Sequence, residues 1–217
     1  MSDESIKFLQ EEAKRLTDEN RDLRVALSAL QESVRALSEL YLIAKEINSD
    51  TNIVGLLSGI LDVSLEVLKA SDGSLLLVDE DKQELVFTVV RGQATDTLVG
   101  YRFPMHEGIA GWVVAHREPQ IVMDVRRDPR FFDKVDQAFG FNTRSMVCVP
   151  VYLDNQRVMG VVEILNKISD REFTDDDLRL MMVVAQLAAV AIPRAEQAFS
   201  TEDQRRAARA QLIKQAS

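Results

Sequence analysis

The side chains best suited to chemistry are one cysteine, two histidines, scattered carboxylates and a short run of arginines. Cys148 lies between Val147 and Val149 in an apolar stretch. A thiol oxidised to a sulfenic acid needs a second thiol to resolve it, and the chain has no other cysteine. Cys148 therefore reads as a core residue. His106 and His116 stand ten residues apart at the ends of one short segment, without metal-ligand spacing, and read as surface or cap residues. Glu163, Asp136 and His106 could be drawn as acid and base, but no nucleophile or orienting partner accompanies them. No G-x-S-x-G, P-loop or paired-His motif is present. Arg126, Arg127 and Arg130 could hold an anion, although a solvated loop is the simpler reading. The chemistry implied is binding, with no enzyme and no metal site.

The elements that must position these residues begin with a long helix. Leu9, Leu16, Leu23, Leu30 and Leu37 recur every seven residues, and Ile6, Ala13, Asn20, Leu27 and Val34 precede them by three. This is a coiled-coil seam with leucine at d. A helix over residues 6–47 would be roughly 60 Å long, too long for one small domain to cover. Asn20 at an a position pairs with its own copy in a parallel dimer and would be unsatisfied in other registers. Glu19 at g and Arg24 at the following e favour the same orientation. The expected partner is a second copy, as a parallel homodimer.

From about residue 48 the pattern changes. Ile53, Leu56, Leu57, Ile60, Leu61, Leu65 and Leu68 have near-helical spacing, with Asp50 or Asn52 as caps. SLLLVDE and LVFTVV form one hairpin about Asp81, Lys82 and Gln83; RSMVCVPVYLD and QRVMGVVEILNK form another about Asp154, Asn155 and Gln156. Between them lie a short strand at YRFPM, a glycine-opened helix over EGIAGWVVAHREP, a strand at IVMDV, and a short helix and loop over DPRFFDKVDQAFGFN. A closing helix follows Thr174 as N-cap, apolar on all sides and so expected to be largely buried, until Pro193 interrupts it. The order implies an α+β fold: a central antiparallel sheet, helices on one face, and a loop and short-helix pocket over the other. The domains expected are a coiled-coil helix over 1–47, one sensor domain over 48–195, and a helical extension over 196–217.

The series GIAGWVVAHREPQIVMDVRRDPRFFDKVDQAFGFNTRSMVCVPV, then VMGVVEILNK, then FTDDDL, resembles the GAF domain family. It is most similar to the branch found in cyclic-nucleotide phosphodiesterases and adenylate cyclases, over about residues 38–194. Nucleotide-binding members of that branch share an Asn-Lys…Phe-x-x-x-Asp-Glu motif. Asn166, Lys167, Phe173 and Asp177 match it, and Leu178 replaces the final Glu. The resemblance implies an ion pair between Lys167 and Asp177 that supports a pocket without touching the ligand. It further implies a ring contact from Ser74, backbone contacts at Ile109 and Ala110, polar contacts from Asp136 and Thr143, and an acid at Glu163. Arg91 stands where that branch has an acidic purine-reading residue and Phe139 where it has Thr. The fold's free-methionine sulfoxide reductases use cysteine redox chemistry, and its bilin photoreceptors a cysteine near the pocket helix; neither pattern is met here.

A net charge of −9 argues against nucleic acid and anionic membrane surfaces. With no signal-peptide core and no long apolar run, a cytoplasmic location is expected. The function expected is a non-enzymatic sensor: a dimeric domain binding a small molecule, with a cyclic nucleotide as candidate ligand and no other cofactor, passing its state through terminal helices to a separate signalling protein. The alternative is a ligand-free scaffold acting as a coiled-coil adaptor.

Overall fold

A computed structural model describes residues 3–45, 53–93, 95–153, 157–168 and 172–197. The expected caps Asp50 and Asn52, the turn at Asp154, Asn155 and Gln156, and the extension past Gln197 lie outside the described residues, as do the side chains of Ile6, Leu30 and Leu37. The chain divides into two compact units, Met1–Ser38 and Glu39–Ser217.

Helix α1 (Asp3–Lys45) runs for 43 residues without Gly or Pro. Its stripe is bare in one chain: Leu9, Leu16, Leu23, Leu27 and Val34 are each more than half exposed. Charged neighbours one turn apart pair along its surface, as Arg15 does with Glu12 and Arg21 with Asp18.

The second unit holds α2 (Ile53–Leu68), β1 (Ala70–Asp79), β2 (Glu84–Arg91), α3 (Thr95–Leu98), β3 (Arg102–Pro104), α4 (Gly108–His116), β4 (Gln120–Val122), α5 (Lys134–Phe139), β5 (Met146–Tyr152), β6 (Val158–Lys167) and α6 (Asp175–Gln197). All strand pairs are antiparallel, in the order β3-β2-β1-β6-β5-β4. β1 and β6 are central and buried along nearly their whole length, which explains why they read as continuous apolar runs. On one face α2 and α6 pack on each other and on the sheet. On the other, Ile109, Ala110, Val113 and Val114 of α4 join Leu76, Phe87, Met146, Cys148 and Val161 in one apolar cluster.

Two local features fix the sheet. Leu75 pairs with Val89 but Leu76 with Phe87, so Thr88 is an extra residue in β2. This bulge shifts the pleat, and Phe87 and Val90, three apart in sequence, both enter the α4-side cluster. In β6, a Cβ on Gly160 would lie 2.1 Å from the Leu76 carbonyl oxygen, so only glycine admits that strand contact.

Two expectations are corrected, and one element appears that the sequence did not announce. The helical turn α3 had no sequence signal. Helix α6 is not buried all round: Arg179, Val183 and Gln186 are exposed, because it lies on the sheet with one side to solvent. Nor does Pro193 interrupt it, since the helix continues to Gln197; a helix can absorb the missing N–H by bending.

Candidate functional site

Between the sheet and the 98–143 excursion lies a cavity of about 80 Å³. Ser74, Ile109, Ala110, Asp136, Thr143 and Glu163 all line it. One cross-strand row crosses its sheet wall: Val90 faces Ser74 and Ser74 faces Glu163, and the row continues beyond the lining from Glu163 to Cys148 and from Cys148 to Gln120.

Glu163 is the chemical centre of that row. It is 6% exposed, and the Ser74 hydroxyl donates to its Oε2 at 2.9 Å. Burial pushes its carboxyl up to about 7 from an ordinary 4.5, and hydrogen bonds from Ser74 and Cys148 pull the other way without prevailing. Cys148 is held far above the usual thiol range, first by burial and then by Glu163. It is therefore a protonated donor rather than a nucleophile.

The loop wall closes on itself. Asp136 accepts from the Thr143 backbone N–H and from the Thr143 hydroxyl, both at 2.7 Å, which ties α5 to the entrance of β5. Asp72, also in the lining, accepts from the backbone N–H of Gln93 at 2.8 Å and from the Ser71 hydroxyl. At the start of α4, Gly108 adopts φ +74°, a conformation that side chains rarely take. The N–H groups of a first helical turn have no acceptor within the helix, and those of Gly108, Ile109 and Ala110 belong to lining residues.

Of the two residues that depart from the branch, Arg91 lies in the lining and Phe139 lies outside it. The Arg91 guanidinium reaches Asp62 on α2 at 2.8 Å and donates to the Val90 carbonyl; Arg91 belongs to the lining, but Asp62 does not. Phe139 is absent from the lining and meets Tyr101 edge to face, with ring centroids 5.0 Å apart. The Asn-Lys motif lies behind the cavity. Asn166, at φ 56°, accepts from the Arg144 N–H at 2.8 Å and donates to the Asn142 carbonyl at 3.1 Å, fixing the segment that carries Thr143. Lys167 pairs with Asp177, its Nζ 5.3 Å from the centre of the buried Phe173 ring. Asp177 also accepts from the Thr174 N–H while Thr174 caps Asp177, a reciprocal capping box that starts α6.

Sequence reasoning missed the aromatic wall. Phe87, Phe103, Phe131, Phe132 and Phe141 line the cavity with Val90, Leu98 and Val135. The only available signal was the density of phenylalanine between residues 87 and 141. The arginine run is committed to neighbours: Arg126 donates to Asn142, Arg127 pairs with Asp124, and Arg130 pairs with Asp128. His106 and His116 are exposed, and the His116 ring stacks on Trp112 at 4.1 Å. Among the described residues no cluster of three or more His, Cys, Asp or Glu could hold a metal, and no helix is long and apolar enough to cross a membrane.

Known proteins resemble this chain in sequence and in fold. Over 163 residues the chain is 29% identical to the dual 3',5'-cyclic-AMP and -GMP phosphodiesterase 11A of Takifugu rubripes, a stretch that is 71% of this chain and 18% of that enzyme. The chain thus spans less than a fifth of that relative's length. The free methionine-R-sulfoxide reductase of Neisseria meningitidis, solved with its substrate, superposes with a TM-score of 0.63 at 21% identity, over 77% of this chain and 92% of that one. The GAF domain of a phosphoenolpyruvate-protein phosphotransferase from Coxiella burnetii gives 0.64 at 20% identity, over 77% and 97%. At such identities the likeness is of fold, and the fold serves regulatory and catalytic proteins alike. The family model of the GAF domain matches residues 52–192, which include every strand of the sheet and the whole cavity lining. The chain belongs to the GAF domain family.

Proposed function

We propose that this chain is a non-catalytic, dimeric sensor whose GAF domain binds a small molecule and passes its state through the terminal helices to a separate signalling protein. The observation that carries the reading is the cavity itself. It is largely apolar, and its few buried polar groups include the Glu163 carboxyl, backed by Ser74. Pockets of that make-up, with few polar groups in an apolar wall, are the usual form of a ligand site. The proposed division is a coiled-coil helix over 1–47, the sensor over 48–195 and a helical extension over 196–217, with the bare α1 stripe covered by a parallel second copy. A ligand can shift such a dimer only by its differential affinity for two arrangements.

A cyclic nucleotide is the first ligand to test, because a relative is a cyclic-nucleotide phosphodiesterase. Thermal shift against cyclic AMP, cyclic GMP and a metabolite panel is the experiment. A ligand that binds only the folded state raises the melting temperature, by about 2.7 kcal/mol of stabilisation at a hundredfold excess over Kd. Thr143→Ala or Glu163→Ala should abolish the shift. The second reading, a ligand-free adaptor, is favoured by the volume of about 80 Å³, well under the roughly 300 Å³ at which drug-sized pockets begin. Silence across the panel, with a partner captured through residues 1–45, selects it.

A further inference from the structure

Apart from the N–H groups that open α4, the described lining offers no unpaired cationic side chain to an anion. Its charged members are Asp72 on β1, Arg91 on β2, Asp136 on α5 and Glu163 on β6. The one cation among them, Arg91, is held by Asp62. Two of the three acids are occupied in holding loops: Asp136 by Thr143 and Asp72 by Gln93 and Ser71. Glu163 remains, buried, with Ser74 on Oε2 and the Cys148 thiol as its other neighbouring donor. Phenylalanine rings share the lining with it, Phe103 and Phe132 stacked at 5.6 Å and Phe87 5.8 Å from Phe103. Aromatic faces carry negative potential and attract cations, most strongly where water is excluded. The Lys134 ammonium already lies 5.2 Å from the Phe132 ring centre.

A buried carboxylate in a cavity lined by several rings, with no unpaired positive side chain among the described lining residues, is a cation receptor in chemical terms. We propose that the GAF cavity recognises a compact organic ammonium ion, its charge set against the Glu163 carboxylate and its alkyl groups against Phe87, Phe103 and Phe132. This rests on the sensor reading and narrows it. The cavity, at about 80 Å³, favours a compact amine over a nucleotide. The Gly108–Ala110 N–H groups leave room for a neutral acceptor, such as a hydroxyl, at the opposite end.

Calorimetry on the full chain tests this with tetramethylammonium, choline, the neutral choline isostere 3,3-dimethylbutan-1-ol, butyrate and the two cyclic nucleotides. Choline is expected to bind at least about tenfold tighter than the isostere, as an ion pair joined to aromatic contacts requires. Because a proton on Glu163 competes with the cation, choline should bind about tenfold tighter at pH 8 than at pH 6, while the isostere stays level. Glu163→Gln, which keeps the shape and an acceptor for Ser74, should erase the preference. Phe132→Leu should weaken choline and leave the isostere unchanged. If isostere, butyrate or a cyclic nucleotide binds as well as or better than choline, the sensor stands and the ammonium inference falls. If no probe binds, both fall.

Discussion

At the scale of the residue, Glu163 has the largest consequences. A carboxyl whose folded-state value is about 7 against an ordinary 4.5 binds its proton more tightly in the folded chain than in the unfolded one. Its contribution to stability is therefore intact below about pH 4.5 and is lost as pH rises through 7. The loss at high pH is on the order of 3 kcal/mol. Glu163→Gln removes it, so the variant should melt higher than the parent at pH 8 and match it near pH 5 in calorimetric scans. A variant less stable than the parent at pH 8 would mean that a cation already balances the carboxylate. The same burial keeps Cys148 a thiol, so alkylating reagents should label it only on denaturation.

At the scale of the element, the sequence and the structure agree most where periodicity is strong. The helix of α1, the apolar runs of β1 and β6, and Thr174 opening α6 were all readable, because each is written in a local pattern. The cavity was only half readable. Ser74, Thr143 and Glu163 could be placed by resemblance, whereas Phe87 and Val90 share a face only through the Thr88 bulge. A bulge is a fact about pairing, invisible along one strand. Arg91 misleads for a similar reason: its partner, Asp62, lies 29 residues earlier on another element. Gly160 belongs to this scale too. With its Cβ 2.1 Å from the Leu76 oxygen, Gly160→Ala must push β6 from β1. Urea titration should show about 3 kcal/mol lost, or no cooperative transition, since overpacking a fixed backbone contact lies at the costly end of core substitutions.

At the scale of the whole molecule, α1 presents Leu16 and Leu23 at 52% and 63% exposure, more apolar surface than a solitary helix keeps in water. Sedimentation at micromolar concentration should give twice the mass of one chain, and Leu16→Lys with Leu23→Lys should give the single-chain mass with the sensor domain still folded. Asn20→Leu should raise the melting temperature and admit larger assemblies, because an amide enclosed in the proposed dimer seam would trade stability for one register. A single-chain mass for the parent would remove the dimer from the proposal.

The borders of the sheet bear on the same question. β3 and β4 are three residues each, so neither margin exposes a row of main-chain donors and acceptors long enough to template a foreign strand. A protein whose flanks are cut this short can be concentrated without stacking into fibres.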